Sequence, residues 1–157
     1  MVVLDDPFGV LQNMKILQYP DPRLAQKCPL VRFPIGRRHR RLINEMLKLL
    51  PGAGAGLAAN QVGSQYRICV FNYEALPPYM INPVIWKSPE TFGVQEACLS
   101  IDEGKTFFNT VRSKTIEVTF CDANGVRYAG EYSGSAAVVI QHEIDHLDGK
   151  LINGTSS

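Results

Sequence analysis

Residues 141–147 read Gln-His-Glu-Ile-Asp-His-Leu, and this stretch carries the strongest structural signal in the chain. The apolar residues before it have the pattern of a helix. Side chains four positions apart lie on the same face of a helix, so His142 and His146 can bind one divalent metal ion together. Glu143 lies one step around the helix, where its carboxylate can act on a metal-bound water. The stretch therefore indicates a metal-dependent hydrolase.

A third metal ligand is expected from another part of the chain. Zinc proteases with the longer pattern His-Glu-x-x-His-x-x-Gly-x-x-His carry it shortly after the helix, but Ile152 stands at that position here. The sequence ends at Ser157, so we expect the ligand upstream, where Cys, His, Asp and Glu are the usual metal-binding residues. His39 is a poor candidate because it lies in an arginine-rich run. The remaining candidates are the acidic residues and Cys28, Cys69, Cys98 and Cys121.

Two further segments complete a set of three motifs. Residues 54–61 read Gly-Ala-Gly-Leu-Ala-Ala-Asn-Gln, and residues 96–100 read Glu-Ala-Cys-Leu-Ser. With residues 141–147 they resemble, in the same order, the peptide deformylase motifs Gly-x-Gly-Leu-Ala-Ala-x-Gln, Glu-Gly-Cys-Leu-Ser and Gln-His-Glu-x-Asp-His-Leu. Residues 19–24, Tyr-Pro-Asp-Pro-Arg-Leu, are similar to the opening of that family. The resemblance extends over residues 14–152, nearly the whole chain.

The resemblance implies both a reaction and the residues that perform it. The implied metal ligands are Cys98, His142 and His146, which leave a fourth position for water. Glu143 would act as general base and acid, taking a proton from the water and delivering it to the leaving amine. The Gln61 side chain and the Leu99 backbone N–H would stabilise the oxyanion. The implied reaction removes the N-formyl group from N-formylmethionyl peptides of nascent proteins and releases formate.

The metal and the reaction class leave alternatives open at this point. The family resemblance implies Fe²⁺ in the cell, with Zn²⁺, Ni²⁺ or Co²⁺ able to occupy the site, and a Cys-His-His set suits zinc and ferrous iron alike. One alternative function is a metallopeptidase that cuts internal peptide bonds, against which the absence of His at position 152 counts. Another is a catalytically silent relative that binds metal or formylated ends. The presence of Glu143 and Gln61 argues against that second alternative.

The motifs also predict residues that contact the substrate. These are Gly54, Ala55, Gly56, Glu96, Ser135, Val138 and Val139. Glycines let two backbones approach closely, which suits an extended peptide pairing along a sheet edge, although a flexible loop is the simpler interpretation of Gly-x-Gly.

Ala55 and Ser135 are smaller than the residues common in the family, so we hypothesise a wider or more polar pocket. Ala97 replaces the Gly that usually precedes the ligand Cys in the family. The family pattern also implies an ion pair between Glu96 and Arg112.

The hydrophobic pattern predicts an α+β fold of small antiparallel or mixed β-sheets around a central helix that carries the metal motif. Apolar residues recur at helical spacing over residues 36–50, and Pro51 with Gly52 ends that helix. Strands are predicted at residues 67–71, 80–86, 115–120 and 126–132, the last two as a hairpin. The metal helix is predicted over residues 134–147, with Ser133 as N-cap and Gly149 as its stop.

Length and composition narrow the class of protein. A chain of 157 residues that is 45% hydrophobic and 20% charged is expected to form one domain. A net charge of +1 is too small for the overall electrostatic field to favour binding to DNA or to a membrane surface. No apolar run in the sequence approaches the roughly 20 residues that a membrane-spanning helix needs. The four scattered cysteines indicate reduced thiols. We expect a monomer in the bacterial cytoplasm, or in an infected bacterial cell if the gene is of phage origin.

Three features lie outside the family motifs. Residues 1–13 match nothing in the family and are expected to be an extension, so that the catalytic domain spans residues 14–157. Many members carry a further helix after the metal helix, and we expect this chain to be a short form without it, as among phage-encoded members. The run Arg-Arg-His-Arg-Arg at residues 37–41 lies at a helix start, where cations are unfavourable. Its ordinary interpretation is a solvated face, and its functional interpretation is docking to ribosomal RNA.

Overall fold

The computed structural model describes residues 14–154, which form two antiparallel sheets and two α-helices. In chain order the elements are α1 (Arg37–Leu49), β1 (Gly56–Ala58), β2 (Ile68–Phe71), β3 (Tyr79–Lys87), β4 (Thr91–Ala97), β5 (Phe107–Ser113), β6 (Thr115–Cys121), β7 (Arg127–Ser133) and α2 (Gly134–Leu147). Short 3-10 helices lie at Pro22–Ala25, Ala59–Val62 and Asp102–Gly104. The predicted N-terminal extension lies outside the described residues.

The strands separate into a large sheet and a small one. The large sheet has the order β1-β2-β3-β6-β7, and β4 pairs with β5 in a separate two-stranded sheet. Every described strand pair is antiparallel, so the predicted α+β architecture is confirmed with antiparallel rather than mixed sheets. Within residues 14–154, neither helix has the length and apolar character needed to cross a bilayer.

The two helices cover opposite faces of the large sheet at β2. This strand reads Ile-Cys-Val-Phe and all four residues are buried, as expected for a strand covered on both faces. Ile68 and Val70 belong to the core cluster that includes the buried α1 residues. Cys69 and Phe71 belong to the cluster that includes the buried α2 residues. The alternation of side chains along one short strand therefore holds both helices against the same sheet.

Helix α2 is the central helix and is held firmly at its C-terminal end. Gly149 is left-handed, with φ of 75°, and its N–H donates to the carbonyl of His146 at 2.9 Å. The N–H of Lys150 donates to the carbonyl of Asp145 at 2.8 Å, which completes a Schellman motif. Arg67 donates to the carbonyl of Leu147 at 3.2 Å, where a cation also complements the helix dipole. The predicted helix stop at Gly149 is confirmed.

The start of α2 differs in detail from the prediction. Ser133 is the N-cap residue, but its side chain makes no capping hydrogen bond within the described residues. Its hydroxyl instead lies 3.1 Å from the hydroxyl of Thr115, because Ser133 and Thr115 are partners in the β6–β7 ladder. The predicted N-cap residue is therefore confirmed, while its hydroxyl contacts the neighbouring strand instead of the helix backbone.

The predicted elements are present, and the small sheet was missed. The helix at residues 36–50 and the strands at residues 67–71, 80–86, 115–120 and 126–132 correspond to α1, β2, β3, β6 and β7. Strands β4 and β5 and the short β1 were not predicted. The small sheet has one largely exposed face and buries the charged Glu96 and Arg112 on the other, so its hydrophobic pattern is weak.

Truncation of a buried α2 side chain tests the central position of this helix. Ile140 is fully buried in the cluster between α2 and the large sheet. We expect Ile140→Ala to lower the free energy of unfolding by about 2–5 kcal/mol, measured by urea denaturation, because it removes packing and leaves a cavity. Leu30→Ala is the control, since Leu30 is 65% exposed and its loss should change stability by less than about 0.5 kcal/mol. Equal effects of the two substitutions would contradict this arrangement.

Candidate functional site

Three potential metal ligands converge where α2 meets the small sheet. Cys98 directly follows β4, and His142 and His146 lie one turn apart on α2. The Nε2 atoms of the two histidines are 3.2 Å apart, and the Cys98 Sγ is 3.2 Å from Nε2 of His146. All three ligand atoms lie within 4.8 Å of one another. The structure therefore brings together the three residues that the motifs predicted as ligands.

The spacing of these atoms fits one small divalent ion. Metal–nitrogen bonds of about 2.0–2.1 Å in tetrahedral geometry place two nitrogens about 3.3 Å apart. The 3.2 Å between the two Nε2 atoms matches that separation. Two imidazoles and one thiol suit zinc or ferrous iron, and three protein ligands leave one position for a reactant. The residues present thus fit a catalytic metal site.

Glu96 orients the first histidine. Its Oε1 lies 2.8 Å from Nδ1 of His142, so Nδ1 carries the proton and Nε2 is left to bind a metal ion. Burial alone would lower the pKa of His142, but hydrogen bonds with Cys98 and Glu96 raise it to about 10. The partners of this ring therefore favour a positive charge beside it, which a metal ion bound at Nε2 would supply in place of a second proton.

Arg112 holds Glu96 in place. Its Nε and Nη2 donate to the two carboxylate oxygens of Glu96 at 2.6 and 2.8 Å, and its Nη1 donates to Asp145 at 2.6 Å. The hydroxyl of Thr110 also donates to Glu96. Burial disfavours the charge on Glu96, but the hydrogen bonds from His142, Arg112 and Thr110 outweigh it and lower its pKa well below the usual range. The predicted Glu96–Arg112 pair is present and joins β4, β5 and α2.

Glu143 is buried against the backbone of β1. It is 3% exposed, and burial raises its pKa to about 7, which is suitable for a group that must accept and release a proton near neutral pH. Within residues 14–154, its Oε1 has no hydrogen-bonding partner. A methyl group on Gly56 would lie 2.6 Å from Oε2 of Glu143, closer than atoms can approach. The second glycine of Gly-x-Gly is therefore needed for this contact.

Gln61 is buried beside the metal ligands rather than exposed in a loop. It is 1% exposed, its Oε1 accepts the N–H of Ala58 at 2.9 Å, and its Nε2 donates to the hydroxyl of Ser100 at 3.0 Å. The same Nε2 lies 4.0 Å from Cys98 Sγ. These contacts hold the amide N–H group near the potential metal ligand Cys98, where it could donate to a substrate oxygen.

Four of these residues, Gln61, Glu96, His142 and Glu143, line one cavity of about 590 Å³, a size suited to a small ligand or a few peptide residues. Its lining comprises Pro51, Ala53, Gly54, Ala55, Gly56, Gln61, Glu96, Ala97, Leu99, Glu103, Gly104, Phe107, Val138, Val139, His142 and Glu143. Of the predicted substrate-contacting residues, Ser135 is the exception, because it is exposed on the first turn of α2 and outside this lining. Glu103, Gly104 and Phe107 were not predicted, since they belong to no family motif.

Ala97 is accommodated without backbone strain. Among the described residues, the non-glycine positions with positive φ are Asn82, Asp102 and Glu103. Ala97 therefore lies outside the left-handed region, where a glycine would be needed. Its methyl group adds to the wall of the cavity.

Comparison with known proteins agrees with this site. A family model described as polypeptide deformylase matches residues 13–155. The chain belongs to the polypeptide deformylase family. The peptide deformylase of Alkalilimnicola ehrlichii is 40% identical over 144 residues, which cover 88% of this chain and 79% of the relative. The family assignment makes the protein an enzyme, an amide hydrolase of the peptide deformylase class, as the three motifs predicted.

Solved structures of the family share the fold. The crystal structure of peptide deformylase from Thermotoga maritima is 35% identical and superposes with a TM-score of 0.83, covering 92% of this chain and 97% of that one. A probable peptide deformylase from Synechococcus phage S-SSM7 is 36% identical with a TM-score of 0.80, covering 90% of this chain and 98% of that one. The small β4–β5 sheet and the two helices therefore belong to a deformylase fold.

Removal of the thiol tests the metal site of this deformylase. We expect Cys98→Ala to lose most of the bound metal after dialysis, measured as metal per protein by mass spectrometry, because two imidazoles then remain as ligands. Cys28→Ala is the matched control, since both cysteines are 1% exposed but Cys28 lies in the core cluster below the large sheet. Undiminished metal content in Cys98→Ala would contradict the assignment of this ligand.

Proposed function

We propose that this enzyme hydrolyses the formamide bond of N-formylmethionyl peptides, consuming one water and releasing formate and a free amino terminus. One observation carries the proposal. Three metal-ligand atoms converge at Cys98, His142 and His146, and His142, the buried Glu143 carboxylate and the Gln61 amide line one cavity, in a chain of the deformylase family. Each step of formamide hydrolysis then has a residue suited to it.

Glu143 is proposed to move the proton. A divalent ion held by Cys98, His142 and His146 would lower the pKa of a water molecule and polarise the formyl carbonyl. Glu143 takes a proton as the water attacks and delivers it to the nitrogen of the methionine as the C–N bond breaks. The pKa of about 7 that burial gives Glu143 supports both transfers, because the carboxyl then gains and loses a proton at similar cost.

Gln61 and Leu99 are proposed to stabilise the charge that develops on the formyl oxygen. Attack on an amide carbonyl places negative charge on oxygen, and donors fixed in advance lower the barrier most. The Gln61 amide is already oriented by Ala58 and Ser100. The Leu99 N–H adjoins the ligand Cys98, and Leu99 lines the cavity.

The peptide is proposed to lie along β1. This strand is an edge of the large sheet, and its first residue Gly56 lines the cavity together with the preceding Gly54 and Ala55. An extended peptide can therefore add to the sheet by main-chain hydrogen bonds, with its first side chain near Val138 and Val139. The hypothesis of a wider pocket for the first side chain of the peptide now rests on Ala55, because Ser135 lies outside the lining of the cavity.

Several finer predictions accompany this function. Fe²⁺ as the cellular metal, a monomeric state and a location in the bacterial cytoplasm stay predictions. Docking of residues 37–41 to the ribosome also stays a prediction. Arg38 donates to the hydroxyl of Tyr66, and Arg40 donates to the carbonyl of Ala123, so part of this basic run holds neighbouring segments of the protein. Those two contacts indicate that Arg38 and Arg40 have a structural role, which the interpretation of the run as a solvated face did not include.

Replacement of the proposed general base tests the reaction. In protein loaded with iron under anaerobic conditions or with nickel, we expect Glu143→Gln to lower formate release from a formyl-Met tripeptide by about 10²–10⁴-fold. Metal content should be unchanged, because Glu143 is not a ligand. Glu117→Gln is the control, since Glu117 is exposed on β6.

The same assay separates the alternatives. Wild-type protein with a filled metal site and no formate release would favour the catalytically silent relative. Cleavage of unformylated peptides at internal bonds would favour the metallopeptidase. Full activity of Glu143→Gln would overturn the proposed role of the carboxylate.

Close packing at Gly56 generates a second test. A methyl group there would displace the Glu143 carboxylate, and a shift of about 1 Å in a reacting group can cost about 10²-fold in rate. We therefore expect Gly56→Ala to lower kcat by about that factor while metal content stays unchanged. Gly52→Ala is the matched control, because a methyl group on Gly52 meets no atom within 4 Å. Equal kcat values for the two variants would contradict the contact.

A further inference from the structure

Two buried polar atoms outside the lining of the catalytic cavity lack a partner. They are Nδ1 of His146 and Oδ1 of Asn60, and neither has a hydrogen-bonding partner among residues 14–154. Both residues are buried. Buried polar groups in folded proteins are nearly always paired, because an unpaired group has lost its water without a replacement. One of the two atoms belongs to a predicted metal ligand, and the other belongs to the residue next to Gln61.

The geometry shows which ring nitrogen of His146 faces the other ligands. Its Nε2 lies 3.2 Å from Nε2 of His142 and 3.2 Å from Sγ of Cys98, so Nε2 is the atom that a shared metal ion would bind. A neutral imidazole that binds through Nε2 carries its proton on Nδ1, and that N–H group needs an acceptor. His142 has this acceptor in Glu96, whose Oε1 lies 2.8 Å from its Nδ1. His146 therefore needs an equivalent acceptor.

Asn60 already contacts His146 through the other end of its amide. Nδ2 of Asn60 donates to the carbonyl of His146 and, at 3.4 Å, to the carbonyl of Gln26. A side-chain amide has two N–H groups, and both are used here on carbonyl oxygens, so these contacts fix which end of the amide is nitrogen and which is oxygen. Oδ1 is therefore an acceptor without a donor, on a residue that is hydrogen-bonded to a ligand whose Nδ1 lacks a partner.

The other unpaired buried atoms of the described residues do not suit this role. They are Nε2 of Gln65 and Oε1 of Glu143. The first is an amide nitrogen, which donates and cannot accept. The second belongs to a carboxylate that lines the cavity and is proposed to act there on water. Among these atoms, Oδ1 of Asn60 is thus the acceptor that the reaction does not need.

We infer that Asn60 is a positioning residue of the metal site. In the metal-bound enzyme its Oδ1 accepts the Nδ1–H of His146, directly or through one water molecule, as Glu96 does for His142. This hydrogen bond fixes the ring with Nε2 toward the metal and makes the imidazole a stronger ligand, so the metal is retained longer. The motif Gly-x-Gly-Leu-Ala-Ala-x-Gln leaves the position of Asn60 open, so the motif does not assign this role. The inference concerns metal retention and is independent of the proposed substrate.

Release of zinc to a chelator tests this role. Zinc-loaded protein is mixed with an excess of a coloured zinc chelator, and the rate of release is followed by absorbance. We expect Asn60→Leu to release zinc about 10–100-fold faster than the wild type, because the ring loses its acceptor. Asn60→Asp keeps an acceptor oxygen, so its release rate should stay near that of the wild type. Both variants lose the hydrogen bonds to the carbonyls of His146 and Gln26, so a merely structural role would accelerate release from both.

Gln65→Leu is the matched control, because it also removes an amide that has a buried unpaired atom. Its zinc release rate should equal that of the wild type. Equal rates for Asn60→Leu and Gln65→Leu would overturn the inference, and so would fast release from Asn60→Asp. Failure of the wild type to retain zinc would reject the metal site and the inference with it.

A measurement on the wild type needs no substitution. In the zinc-loaded protein, nitrogen NMR should show His146 protonated at Nδ1, with the proton shifted downfield by its hydrogen bond. A His146 ring without such a proton would overturn the inference, even where Asn60→Leu fails to fold. None of these measurements uses formate release, so their outcome is separate from that of the proposed reaction.

Discussion

The buried guanidinium of Arg112 is the interaction on which the site depends. It binds both oxygens of Glu96 on β4 and reaches Asp145 on α2, while Glu96 orients His142. A charge this deeply buried is tolerated only with complete pairing, so the small sheet and α2 have one favourable relative position. Cys98 directly follows β4, and it meets the two histidines because that position is set.

A second constraint is the close contact between β1 and α2. Gly56 allows the Glu143 carboxylate to lie against the backbone of β1, in the space that any larger residue would occupy. The chain then turns through the 3-10 helix Ala59–Val62, which places Gln61 near the potential metal ligand Cys98. The proposed base, the proposed oxyanion donor and the metal ligands thus come from three elements packed around one point. Their catalytic geometry is consequently a product of core packing, and core substitutions are expected to alter activity as well as stability.

Much of the fold could be read from local pattern. The long strand Thr115–Cys121 alternates strongly, and α1 repeats its apolar residues at helical spacing, so both were predicted. The small sheet was not, because it buries an ion pair instead of an apolar face. Ser133 is the N-cap residue of α2, as predicted, yet its hydroxyl contacts the hydroxyl of its strand partner Thr115 instead of the helix backbone. In both cases a partner distant in sequence decided the outcome.

Local sequence pattern was enough to predict the ligand set of the candidate metal site. Helical periodicity places His142 and His146 on one face, and the surrounding motif points to Cys98 as the third ligand. The lining of the cavity, which includes Glu103 and leaves out Ser135, depends on how distant segments of the chain pack together. The physical reason is that periodicity operates within one element. The walls of a cavity arise from contacts among elements that are far apart along the chain.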